Sequence, residues 1–199
     1  MSRVKPVTRL PRSFYNRSTE IVARELIGKY IILNTSEGRK AARIVEVEAY
    51  IGEEDPACHA ACGPTIRNAL MYGKPGVSYV YFIYGMYYCL NFVTERKGFP
   101  AAILLRAAEP VDGVESMRHT TRHEPDHRIL SGPGKFCRAF GLALAQNGLD
   151  LTGSILYLED RNEQSPEIGV STRIGIRKGV EKLWRFFDSG SRAVSGSQR

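Results

Sequence analysis

The sequence predicts an α+β fold: a single mixed domain built on a curved, largely antiparallel β-sheet with surrounding helices. Three observations predict it. Runs rich in β-branched and aromatic residues outnumber helical stretches. Several of these runs follow one another across short turns, which favours hairpins over parallel crossovers. The 199 residues are 43% hydrophobic and 25% charged, with no internal repeat, low-complexity tract or long linker. A chain of this length can bury roughly 70% of its unfolded surface, so one core suffices without staples.

The elements follow in order. Residues 1–10 carry charge without an apolar run and read as a flexible start. Ser18 or Thr19 can cap a short helix bearing Ile21, Val22, Leu26 and Ile27, with Gly28 at its end. Residues 30–34 and 41–51 read as strands joined through Ser36, Glu37 and Gly38. Residues 64–70 suit a helical turn. Residues 77–84 and 87–93 form the strongest strand pair, turning at Tyr84, Gly85 and Met86. Residues 102–107 read as a buried strand, and 114–122 and 133–140 as helices. Residues 155–158, 169–176 and 184–187 supply further strands. Residues 189–199 read as a frayed tail.

Charge narrows the partners. Lys and Arg total 28 and Asp and Glu 21, a net +7. Such an excess leans toward polyanions, either nucleic acid or an anionic membrane surface. The longest apolar runs, such as 101–105, are far too short to span a bilayer. Cys58, Cys62, Cys89 and Cys137 form no CxxC pair and no zinc-finger spacing, and no apolar leader precedes them. Reduced thiols in a cytosolic protein are expected. Residues 41–60 set Arg43 against Glu46, Glu48, Glu53, Glu54 and Asp55. Glu53, Glu54 and Asp55 read as a solvated loop. Glu46 and Glu48 differ, because they lie in a strand pattern.

Alternation along that strand puts Val45, Val47 and Ala49 on a core face, and Ile44, Glu46, Glu48 and Tyr50 on the other. A carboxylate there either pairs with a cation or faces a solvated cavity, so an ion pair and a catalytic base are both open. Arg106, inside an apolar strand, calls for a carboxylate or phosphate partner. His59 beside Cys58 and near Cys62 lacks an evident fourth ligand, and a hydrogen-bonding pocket histidine fits better than a metal site. Six of the ten tyrosines fall between Tyr72 and Tyr88. Packing on a sheet accounts for several. Tyr84, before Gly85, projects from a turn, where a ring can stack on a base or wedge into a base stack. The Ser131–Lys135 stretch precedes a helix whose N–H groups could hold a phosphate, but it lacks the P-loop pattern. His119, His123 and His127 recur every four residues, yet Pro125 interrupts any helix, leaving a polar basic surface segment.

Five segments, in order, resemble the alkyladenine (3-methyladenine) DNA glycosylase family, bacterial type. They are Ile44-Val-Glu-Val-Glu-Ala-Tyr50, Lys74-Pro-Gly76, Tyr79-Val-Tyr-Phe-Ile-Tyr-Gly-Met-Tyr-Tyr-Cys-Leu-Asn91, Leu104-Leu-Arg-Ala-Ala-Glu-Pro110 and Leu130-Ser-Gly-Pro-Gly-Lys135. The resemblance runs from about Leu10 to about Phe187. It implies a single glycosylase domain, acting as a monomer in the bacterial cytosol or nucleoid. Such an enzyme flips an alkylated or deaminated purine from duplex DNA, working from the minor-groove side without cofactor or metal. By the same resemblance Glu48 is the general base for a water, and Arg106 helps hold that water. Tyr50, His59 and Tyr81 line the pocket, and Asn91 sits at its edge. Tyr84 intercalates, Met71 and Tyr72 lie beside that wedge, and Lys135 holds backbone phosphate. No lysine nucleophile is required, so no lyase step is expected. Leu183 stands where many relatives carry proline, and the tail after Gly190 matches poorly.

Two other classes remain to be separated: a carbohydrate glycosidase using Glu46 and Glu48, and a non-catalytic nucleic-acid binder using the tyrosines as stacking platforms.

Overall fold

In a computed structural model, which describes residues 6–121 and 124–196, the chain forms a nine-stranded antiparallel sheet with short helices. The strands are β1 (Thr8–Arg9), β2 (Tyr30–Thr35), β3 (Gly38–Ile51), β4 (Ser78–Ile83), β5 (Tyr87–Val93), β6 (Ala101–Asp112), β7 (Leu156–Asp160), β8 (Ile168–Ser171) and β9 (Arg185–Asp188). The helices are α1 (Arg12–Tyr15), α2 (Thr19–Leu26), α3 (Val114–His119) and α4 (Pro133–Phe140). Spatial order is β1-β7-β2-β3-β6-β5-β4, with β9 pairing both β3 and β8. This is the α+β, largely antiparallel fold that the sequence predicts. Among the described residues no helix is long and apolar enough to cross a membrane.

The main core lies where α2 and α4 cover the sheet. Val22, Ala23 and Leu26 of α2 and Phe136, Cys137, Ala139 and Phe140 of α4 pack with Ile31, Leu33, Val47, Ala49, Leu90, Phe92, Ile103 and Leu105. Gly141 ends α4 in the left-handed region at φ +75°, and Gly28 follows α2 at +87°, conformations that glycine adopts without strain.

Strand β3 is the organising element. It pairs with β6 from Ala41 to Ile51, and on its other edge with β2 and then with β9 at Glu46–Glu48. Its alternation is not continuous. The register steps from Ile44↔Ala108 to Glu46↔Ala107, so Val45 is an extra residue. The bulge corrects the sequence expectation. Ile44 joins Val47 and Ala49 in the main core, whereas Val45 packs in a separate cluster with Ala107, Ala193 and Val194.

The described residues near both ends differ from expectation. Thr8 and Arg9 pair with Asp160 and Glu159 of β7. Residues 189–196 are not frayed: Ser191, Ala193, Val194 and Ser195 are buried against β3, β6 and β9. The turn expected over residues 64–70 falls at Ala69–Tyr72. The expected strand over 169–176 stops at Ser171. Arg122 and His123 of the expected helix and histidine series lie outside the described residues.

Candidate active site

Four adjacent strands build a cavity by alternation. In β6, Ile103 and Leu105 face the main core, so Ala102, Leu104 and Arg106 face the other way. In β5, Leu90 and Phe92 face the core, and Cys89 and Asn91 the cavity. In β4, Val80 is inward and Tyr79, Tyr81 and Ile83 line the cavity. Tyr50 joins from β3. The walls are completed by Ala57 and His59, Met71, Pro133 and Gly134 at the start of α4, and residues 174–176. The enclosed volume is about 330 Å³, at the small end of ligand sites of roughly 300–1,000 Å³.

A buried carboxylate lies behind the lining. Glu48 is fully buried, and three donors from the cavity wall converge on it. The Tyr50 hydroxyl donates to Oε2 at 2.9 Å, and the Ile174 N–H donates to Oε1 at 2.7 Å. Arg106 Nη1 stands 3.2 Å from Oε2. A carboxylate has about four acceptor positions, so one on Oε1 remains for a further donor. Burial opposes the charge on Arg106, but Glu48 and Glu46 outweigh it and raise its pKa. Burial, then Glu48, raises that of Tyr50, which keeps its proton as a donor.

Glu46 is also fully buried, and of its partners only Arg106 lines the cavity. It accepts from Arg106 Nε at 2.9 Å, Arg185 Nε at 2.7 Å and the Ser195 N–H at 2.6 Å. Of the two outcomes left open for these carboxylates, Glu46 takes the ion pair.

The rest of the pocket is aromatic. His59 Nδ1 lies 2.8 Å from the Tyr79 hydroxyl, and its ring meets Tyr81 edge-on at 4.5 Å. Burial, helped by the Arg67 charge, lowers the His59 pKa to about 4, so the ring is neutral at pH 7. Burial raises Tyr81 and pushes Tyr79 up to about 12. The Asn91 amide donates to the Tyr79 carbonyl at 3.0 Å. Tyr84 is 77% exposed at the hairpin tip and holds φ +54°, a strained conformation for a large side chain. Met86 and Phe82 are exposed beside it.

Arg106, Tyr50, His59, Tyr81, Asn91 and Tyr84 thus line one cavity and its rim, and Glu48 is buried behind them, bonded to the lining residues Tyr50, Arg106 and Ile174. The three other residues expected at DNA have contacts within the chain. Met71 is 2% exposed and forms cavity wall, since its short 3₁₀ turn points it inward. The Tyr72 hydroxyl donates to Glu53 at 2.7 Å. Lys135 is ion-paired with Glu124.

Sequence reasoning missed a second buried pair. Asp55, expected in a solvated loop, is fully buried and accepts from Arg173 Nη1 at 2.5 Å and Nη2 at 2.7 Å. Burial alone would raise the Asp55 pKa; Arg173 outweighs it and lowers it. The same guanidinium donates to the Ala49 and Gly179 carbonyls and lies 4.7 Å over the Tyr50 ring. It therefore anchors the loop whose Ile174 N–H reaches Glu48. An arginine between Thr172 and Ile174 gives no sequence signal of this role.

The chain is similar in sequence to known proteins. A family model described as Methylpurine-DNA glycosylase (MPG) matches residues 13–192. A protein of Methanocella arvoryzae is 50% identical over 193 residues, spanning 94% of this chain and 95% of its own. One of Chlorobaculum tepidum is 44% identical over 192 residues, spanning 96% and 92%. One of Wolbachia pipientis is 47% identical over 179 residues, spanning 90% and 91%. Each is provisionally named a 3-methyladenine DNA glycosylase. With the match covering strands β2 to β9, the cavity lining and both buried ion-pair groups, the chain belongs to the methylpurine-DNA glycosylase family.

Proposed function

We propose that this chain is a monofunctional DNA glycosylase. It takes an alkylated or deaminated purine out of duplex DNA and hydrolyses its N-glycosidic bond with a water activated by Glu48. The observation that carries the reading is the buried Glu48 carboxylate, held by Tyr50, Ile174 and Arg106, three residues that line a small aromatic cavity.

The sugar C1′ is unreachable inside a stacked duplex, so the nucleotide must be extruded, at a cost of a few kcal/mol. Tyr84 at the hairpin tip enters from the minor groove and fills the gap, which offsets part of that cost. The flipped base lies among Tyr50, Tyr81 and His59. Aromatic faces favour a purine made cationic by alkylation at a ring nitrogen. Water held by Glu48 and Arg106 attacks C1′ and gives its proton to Glu48. The C1′–N bond breaks, and its electron pair leaves with the base. A cationic purine departs neutral, whereas a neutral lesion needs a proton as it leaves. The ionised Glu48 also stabilises the oxocarbenium-like transition state. The net +7 charge suits phosphate contacts. No amine nucleophile is used, and the enzyme acts as a monomer.

The test is free-base release from duplexes carrying 3-methyladenine, 7-methylguanine, ethenoadenine or hypoxanthine, by wild type and Glu48→Gln, before and after alkali. Release by wild type only, with strand breaks only after alkali, supports the reading. Lesion binding without any release identifies a damage binder instead. Full activity in Glu48→Gln overturns the catalytic assignment.

A further inference from the structure

We propose that the carboxy-terminal segment, through Ser195 acting with Glu46 and Arg185, positions Arg106 for the hydrolytic step. The inference rests on the glycosylase reading and assigns this segment a part in it.

Arg106 uses its guanidinium in three directions. Nη1 faces Glu48 at 3.2 Å, Nε donates to Glu46 at 2.9 Å and Nη2 donates to the Ser195 hydroxyl at 3.2 Å. Glu46 and Ser195 hold two of the three directions, so the side facing Glu48 is set by the other two contacts. Ser195 is the common node. Its N–H donates to Glu46 at 2.6 Å, its carbonyl accepts from Arg185 Nη2 at 2.9 Å and its hydroxyl accepts from Arg106. Arg185 closes the ring by donating to Glu46 and to the Ser171 hydroxyl. The four charges, Glu46 and Glu48 against Arg106 and Arg185, balance in a place nearly closed to solvent.

The segment is seated rather than draped. Ala193 and Val194 pack with Val45 and Ala107. The Ser191 hydroxyl donates to Glu109 at 2.5 Å and accepts from the Ala193 N–H at 3.1 Å. The bulge at Val45 supplies that seat, since unbroken alternation would turn Val45 to the main core. A catalytic group held by packed, hydrogen-bonded supports keeps the geometry that the reaction needs, and displacement by about 1 Å can lower a rate on the order of a hundredfold.

Ser195→Ala tests this, because it removes only the hydroxyl bond and leaves both backbone bonds of residue 195. Single-turnover base release is expected to fall roughly tenfold, with the lesion-DNA Kd and the Tm unchanged. The Arg106 Nε–H proton, followed by NMR, is expected to exchange faster with solvent. Ser195→Thr, which keeps the hydroxyl, restores both. A wild-type rate in Ser195→Ala overturns the inference, as does a rate loss that merely tracks a lowered Tm or that Ser195→Thr fails to restore. No release by wild type overturns the glycosylase reading, and this inference with it.

Discussion

Arg106 Nη1 stands 3.2 Å from Glu48 Oε2, and the same guanidinium holds Glu46 through Nε. One cation therefore separates two fully buried carboxylates. Arg106→Ala leaves them facing each other with Arg185 alone, at a cost of about 3–5 kcal/mol. For a chain of this size that lowers Tm by roughly 6–20 °C. Glu48→Gln keeps the shape and is expected to melt much closer to wild type, while losing at least about a hundredfold in base release. Melting curves beside single-turnover assays separate the two effects.

Tyr84 combines exposure with a positive φ, a pairing that packing does not explain. Tyr84→Gly relieves the backbone and is expected to leave stability unchanged or raise it by about 0.5–1 kcal/mol. Affinity for lesion DNA is expected to fall roughly tenfold or more with the stacking ring gone. Urea unfolding and fluorescence anisotropy measure the two. A variant that is less stable yet binds normally would contradict the wedge role.

His59 gives stability a pH dependence. Its folded pKa of about 4 lies below the ordinary 6.5, through burial and then Arg67. Between these values the unfolded chain takes up a proton that the folded chain does not. Stability therefore rises with pH from about 4 to about 6.5 and is level above that. Discounted for partial exposure of the ring, the effect is roughly 1–2 kcal/mol. The stability difference between wild type and His59→Gln is expected to move by that amount between pH 7 and pH 4.5, against wild type as pH falls. Urea melts at both pH values check it.

Gly134 faces Tyr87 across the cavity rim. A Cβ at position 134 would lie 2.7 Å from Tyr87 Cδ1 and 2.8 Å from Cγ, so the ring must move. Gly134→Ala is expected to cost about 1–3 kcal/mol and to narrow the cavity. Release of the larger ethenoadenine should slow more than release of 3-methyladenine. Equal slowing of both would place Tyr87 outside the base-binding space.

Much of this was legible in the sequence because it is local. The tyrosine-rich hairpin, the carboxylates on β3 and Arg106 within an apolar strand all follow from alternation over a few residues. What was hidden depends on contacts across the chain. Asp55 meets Arg173 across 118 positions, and Glu46 meets Arg185 across 139 and Ser195 across 149. A polar tail has the composition of a frayed end, and its two small apolar residues reveal a seat only once the Val45 bulge exists. That bulge leaves no mark in a run of alternating valines and glutamates. The burial of Met71 is not legible either, because position in the chain does not fix the direction of a 3₁₀ turn.

The place of β3 has a consequence for how the molecule opens. Its peptide groups are bonded on one edge to β6 and on the other to β2 and then β9. Amides so enclosed exchange with solvent only when the sheet itself separates, whereas a hairpin tip such as Tyr84–Met86 exchanges by local fraying. Glu46, Glu48 and Tyr50 thus belong to the most slowly opening part of the chain, and Tyr84 to one of the quickest. In the proposed reaction the tip can bend and re-form against successive base pairs while Glu48 and Arg106 stay in register.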